Sequence, residues 1–207
     1  MAHEKKVIQA GVELGNAKKV LIMLHGRGAT ARDILSLSEY LHVEDFCLLA
    51  PQATNHTWYP YRFIAPPQEN EPWLSSALNL INEIVHDVKS AGISEENIYL
   101  LGFSQGACLC LEYAARNAAN WAGVIAFTGG LIGDKIYTEN YKGKFMGTKV
   151  FIGNSDVDPH VPEERSAASA KIIQGMGADV TYKVYKGMPH TINQDEIDTV
   201  NRLILKK

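Results

Sequence analysis

Residues 102–106 read Gly102-Phe103-Ser104-Gln105-Gly106, directly after the apolar run Ile98-Tyr99-Leu100-Leu101. A G-x-S-x-G pentapeptide between a buried strand and a helix holds its serine on a sharp, strained turn. The flanking glycines are required where strand and helix backbones crowd together. A hydroxyl presented there points from the carboxyl edge of a sheet and can attack a carbonyl, so acyl transfer is the chemistry to test for. An unassisted serine is a poor nucleophile, and a base must take its proton as it attacks.

Seven histidines compete for that role. His3 lies near a terminus expected to be mobile, His42 and His86 fall in or beside helices, and His56 lies in a long loop. His160 is too close in sequence to the candidate acid. His25 ends a strand and reads as a packed residue shaping its loop. His190, in Gly187-Met188-Pro189-His190-Thr191, falls between the last strand and last helix, at the sheet edge where Ser104 points. A carboxylate must orient the imidazole, and Gly153-Asn154-Ser155-Asp156-Val157-Asp158-Pro159-His160-Val161-Pro162 offers two. Asp158 is preferred because the following proline restricts it to extended backbone. Asp156 reads as a turn former whose carboxylate holds nearby backbone amides.

The developing oxyanion needs donors. Gln105, next after the nucleophile, supplies one backbone N–H at its helix start. His25-Gly26-Arg27-Gly28 follows the early apolar run Val20–Leu24, and the Arg27 amide is the best second donor. The Arg27 side chain is expected to be solvated or ion-paired. The proline-rich segment 52–73 carries Trp58, Tyr59, Tyr61, Phe63 and Trp73. Of these, Trp58, Tyr59, Phe63 and Trp73, with Leu131 from beyond another strand, are candidates for the substrate wall. The alternative is that they only anchor a long loop. No charged cluster in these segments suggests a phosphorylated or polyanionic substrate.

The elements that must position these groups alternate along the chain. Apolar runs at 20–24, 46–49, 98–101, 123–127 and 150–152 read as strands buried on both faces. Residues 7–12 form a weaker leading strand, and alternation around Val180 and Val184 suits a sheet edge. Helices are expected over 31–41 (started by Thr30 and Asp33), along the Leu74–Val88 stripe, through 107–115, from Pro162 to Met176, and after Asn193 with Glu196. The expectation is one α/β domain over 1–207, a mostly parallel sheet with helices on both faces.

The 207 residues carry a net charge of −3, with no basic stripe for nucleic acid. No apolar run has the length of a membrane span, and the start lacks the apolar core of a signal peptide, so no stable membrane insertion and a cytoplasmic place are expected. Cys47, Cys108 and Cys110 sit in apolar stretches and read as reduced core residues. No metal or other cofactor is required by the chemistry. A small-molecule ester is the expected partner, and a homodimer is compatible with the sequence.

Together, His25-Gly26-Arg27-Gly28, Ala50-Pro51-Gln52, Gly102-Phe103-Ser104-Gln105-Gly106-Ala107, Asp156-x-Asp158-Pro159-x-Val161-Pro162 and Gly187-Met188-Pro189-His190-Thr191-Ile192 resemble the phospholipase/carboxylesterase family of α/β-hydrolases, which includes acyl-protein thioesterases. The order Ser104, Asp158, His190 is that of an α/β-hydrolase. The resemblance implies Ser104 as nucleophile, Asp158 as acid, His190 as base, and the Arg27 and Gln105 amides as the oxyanion hole. Arg27 stands where thioesterase members commonly have an aliphatic residue, Pro189 replaces a common glycine, and residues 57–66 look closer to bacterial carboxylesterase-like members. The expected activity is cleavage of small to medium acyl esters through an acyl-enzyme. Alternatives are a lysophospholipase or acyl-thioesterase acting on long chains, a lactone or dienelactone-type hydrolase, and a non-catalytic small-molecule binder on a hydrolase scaffold.

Overall fold

The computed structural model describes residues 2–206. Seven strands are β1 (Val7–Gly11), β2 (Lys19–Leu24), β3 (Phe46–Pro51), β4 (Ile98–Phe103), β5 (Gly123–Phe127), β6 (Lys149–Ser155) and β7 (Asp179–Tyr185). The five α-helices are α1 (Ala31–Leu35), α2 (Trp73–Ser90), α3 (Gln105–Arg116), α4 (Glu163–Gly175) and α5 (Gln194–Leu203). They form one sheet in the order β1-β3-β2-β4-β5-β6-β7. Only the β1–β3 pairing is antiparallel; the other five are parallel.

The period-2 alternation of strands divides the apolar residues between two layers. Val20, Ile22, Leu24, Ile98, Leu100, Val124 and Ala126 face a core shared with α2, α3 and Ile173 of α4. Leu21, Met23, Leu101, Ile125 and Phe127 face a second core built with Ile34 of α1 and Ile197, Val200 and Ile204 near α5. Both faces being covered explains why the central strands read as unbroken apolar runs. β7 lies at an edge, with Val184 exposed, as its alternating pattern suggests.

Helix starts follow the sequence signals closely. Thr30 with Asp33 and Asn193 with Glu196 each form a reciprocal capping box. The expected helix over 31–41 is shorter: α1 stops at Leu35 and continues as a 3-10 turn over Ser36–Glu39. There the Ser36 hydroxyl donates to the Asp33 carbonyl at 2.7 Å, competing with the regular ladder. Pro162 lies just outside α4 as its N-cap. Among the described residues no helix is long and apolar enough to cross a membrane.

Candidate active site

Ser104 sits between β4 and α3 with φ 54° and ψ −118°, a conformation L-residues adopt only when their surroundings compel it, with about 1–3 kcal/mol of strain. The surroundings are visible. Its amide donates to the Phe127 carbonyl of β5 at 3.0 Å, and its own carbonyl accepts from Cys108 of α3 at 3.0 Å. A Cβ on Gly106 would lie 2.6 Å from the His25 carbonyl oxygen, and one on Gly102 would collide with the Gly106 backbone. The two glycines let α3 start directly against β2 and β4, and the serine takes the bend between them.

The His190 imidazole bridges two other segments to this turn. Its Nε2 lies 2.8 Å from Ser104 Oγ, and its Nδ1 lies 2.6 Å from Asp158 Oδ2. An ionised carboxylate only accepts, so Nδ1–H donates to Asp158 and Nε2 is the lone pair facing the serine hydroxyl. Asp158 Oδ1 accepts from the backbone amides of His160 (2.9 Å) and Val161 (2.8 Å). Its side chain is wholly buried. Burial alone would raise its pKa, but the bonds from His190, Val161 and His160 outweigh it and hold the carboxyl below its ordinary value.

Asp156 holds a backbone amide, as expected, but one far along the chain. Its Oδ1 accepts from the amide of Gly187 at 2.7 Å, 31 residues away, tying the histidine loop to the acid loop. On the far side of that loop, Asn193 Nδ2 donates to Met188 Sδ at 2.8 Å. His160 stands edge-on to His190, ring centroids 4.8 Å apart.

Ser104 and His190 open into a cavity of about 470 Å³ shared with Arg27, Tyr59, Phe63 and Gln105. Gln105 opens α3, so its amide is among the first-turn N–H groups that lack intrahelical partners. The structure thus brings Ser104, His190, Arg27, Gln105, Tyr59 and Phe63 together, with Asp158 buried behind His190. Trp58, Trp73 and Leu131 do not line this cavity. Trp58 is fully buried, donates its Nε1–H to the His25 carbonyl at 2.8 Å and packs on the His25 and His3 rings. It anchors the loop. Trp73 is the first residue of α2, edge-on to His3, and Leu131 is buried with its amide bonded to Ser169 Oγ.

His3 corrects the expectation of a mobile terminus. It is buried, with Nε2 2.8 Å from the Trp58 carbonyl and Nδ1 accepting from the Thr54 amide at 3.2 Å. The Arg27 side chain is exposed to solvent, as expected, and has no ion-pair partner among the described residues, but it is also tied down by hydrogen bonds. Its Nη1 donates to Thr57 Oγ1 (3.0 Å) and the Pro60 carbonyl (2.9 Å), and its Nη2 to the Tyr61 carbonyl (2.6 Å). Gln105 does the same from the floor. Its Oε1 accepts from the Trp58 amide at 2.9 Å and its Nε2 donates to the Tyr59 carbonyl at 2.8 Å. The two residues chosen for their backbone amides therefore also hold the 57–61 strip with their side chains.

Tyr61, one of the loop aromatics noted in the sequence, also lines the cavity, whereas sequence reading missed Pro60, Arg62, Val161, His160 and Cys108 as wall residues. For His160 and Val161 the signal was present, since they flank the acid. Cys108, one turn beyond Ser104, is the thiol of that wall. Burial pushes its pKa up to about 12, so it stays protonated.

A family model described as phospholipase/carboxylesterase matches residues 3–207. A crystal structure of a phospholipase/carboxylesterase from Dyadobacter fermentans is 52% identical, with a TM-score of 0.98, over 100% of this chain and 99% of that one. The acyl-protein thioesterase 1 of Saccharomyces cerevisiae is 28% identical over 96% of this chain and 97% of that protein. That of Gibberella zeae is 31% identical over 62% of this chain, a match spanning about half of that protein's length, 54%. With a family match over nearly every residue and the same fold in a solved relative, the chain belongs to the phospholipase/carboxylesterase family.

Proposed function

We propose that this chain is a serine hydrolase cleaving carboxylic esters of small to medium acyl chains, with Ser104 as nucleophile, His190 as general base and Asp158 as the acid that orients it. The observation that carries this reading is the unbroken Asp158–His190–Ser104 hydrogen-bond chain, 2.6 and 2.8 Å, at the edge of a 470 Å³ cavity. As Ser104 Oγ adds to the ester carbonyl, its proton passes to His190 Nε2, and Asp158 stabilises the imidazolium through Nδ1–H. The carbonyl oxygen becomes an oxyanion facing the Gln105 and Arg27 amides. Collapse breaks the ester C–O bond, His190 returns the proton to the leaving alcohol, and an acyl-Ser104 remains. A water deprotonated by His190 then releases the acid.

Acyl-thioester cleavage is the second reading, supported by the thioesterases among the relatives. A rate series across acyl length, with matched oxygen esters and thioesters, separates the two. The first reading is tested with Ser104→Ala. Activity on a chromogenic ester should fall at least a thousandfold and labelling by a fluorophosphonate should vanish, with the thermal transition retained. An alanine variant that keeps its activity would overturn the assignment.

A further inference from the structure

The cavity beside Ser104 carries charge that nothing in its wall compensates. Its ionisable lining residues are two arginines, Arg27 and Arg62, two histidines, His160 and His190, the tyrosines Tyr59 and Tyr61, and Cys108, with no aspartate or glutamate among them. Asp158, the carboxylate behind His190, is buried with both oxygens occupied by His190, His160 and Val161. The Arg27 guanidinium is fixed, but only by a hydroxyl and two carbonyls, neutral acceptors that leave its positive charge unbalanced. Arg62 is exposed and lines the cavity, and its side chain has no hydrogen-bond or ion-pair partner among the described residues. Its backbone, by contrast, is held: the Arg62 carbonyl accepts from Asn70 Nδ2 at 3.2 Å, and Asn70 is fully buried.

An arginine on a pinned backbone with an unpartnered guanidinium, lining the same cavity as a second one whose charge is unmatched, suits an oxyacid anion held by paired N–H donors. The molecule as a whole is negative, at −3, so this is a local field inside one cavity, and local fields focus ligands more than net charge does. Arg27 and Arg62 stand 35 positions apart in the chain and line one cavity only once it is folded.

We propose that the preferred substrates are small esters carrying a single anionic oxyacid group, carboxylate or phosphonate-like, a few carbons from the scissile bond, with Arg62 as its partner. This rests on the hydrolase reading of the same site. The test uses six-carbon acyl esters of matched shape: monoethyl adipate (anionic), ethyl adipamate (its neutral amide), ethyl 6-aminohexanoate (cationic), and a phosphonate replacing the carboxylate. At low ionic strength, kcat/KM for the carboxylate or phosphonate should exceed that for the amide roughly tenfold, with the cation slowest. Whichever anion is faster identifies the oxyacid. The anion-to-amide ratio should shrink several-fold in 0.5 M salt, collapse in Arg62→Gln and be partly restored in Arg62→Lys. If the amide is cleaved as fast as the anions, with a ratio indifferent to salt and to Arg62→Gln, the inference fails while the hydrolase reading stands. If no ester turns over and fluorophosphonate does not label Ser104, the hydrolase reading itself fails and the inference falls with it.

Discussion

At Asp158 the wiring of two oxygens decides what a one-atom change does. Oδ1 accepts two backbone amides, so an asparagine there would keep its carbonyl oxygen on those donors and turn its NH2 toward His190. A donor facing Nδ1 forces the proton onto Nε2, and the imidazole can then no longer accept from Ser104. Asp158→Asn should therefore lower kcat by about 10³–10⁴-fold while KM and the fold change little, as read by steady-state kinetics and circular dichroism. The carboxyl's lowered pKa adds a stability effect of definite sign. The stabilisation is complete above the unfolded value of 3.8 and is lost only as pH falls through the lower folded value. Neutral pH leaves this part of the site untouched.

At the scale of elements, the site consists of loops at one sheet edge, each held by side chains from another. Asp156 holds the histidine loop, Asn193 caps α5 and reaches Met188, and Gln105 and Arg27 hold the strip 57–61. A segment as long as 52–73 needs such ties, because it has two short 3-10 turns, Thr54–His56 and Pro67–Asn70, and no strand or α-helix before Trp73. Arg27→Met keeps the backbone amide but deletes three hydrogen bonds to the strip. It should lower stability by about 1–2 kcal/mol in urea denaturation, raise KM more than it lowers kcat, and expose 52–73 to faster proteolytic nicking. Unaltered nicking would show that Gln105 and Trp58 hold the strip without it.

For the molecule as a whole, one buried acid contributes stability that falls as pH rises, against the buried His3 and His25, whose lowered pKa values act the other way. Glu196 is fully buried at the start of α5, with Oε2 accepting from the Asn193 amide at 3.0 Å and Oε1 without a partner. Burial raises its pKa from 4.5 to about 7, opposed by the Asn193 bond. The folded state thus holds a proton that the unfolded chain releases. The group's contribution is complete below pH 4.5 and declines as pH rises to about 7. Glutamine preserves the capping geometry and cannot ionise. The stability of Glu196→Gln relative to the parent should increase by ~2–3 kcal/mol between pH 4.5 and pH 8, measured by urea denaturation at both. Parallel pH profiles for the two proteins would show that Glu196 does not titrate in this range.

What the sequence determined by itself was everything encoded locally or in chain order. Apolar runs marked the central strands because both sheet faces are covered, Thr30–Asp33 and Asn193–Glu196 marked helix starts by short-range bonding, and G-x-S-x-G marked a bend that only glycines permit. Ser104, Asp158 and His190 were legible because each follows a strand, and parallel strands deliver their ends to one edge. Only the tertiary structure decided which aromatics wall the cavity, since Trp58 and Phe63 differ by which way a loop turns, not by residue type. It alone revealed that Asp156 reaches Gly187, that His3 is buried, and that Arg27 and Arg62 line one cavity. Those are relations between residues tens of positions apart, set by packing rather than by any local preference of the chain.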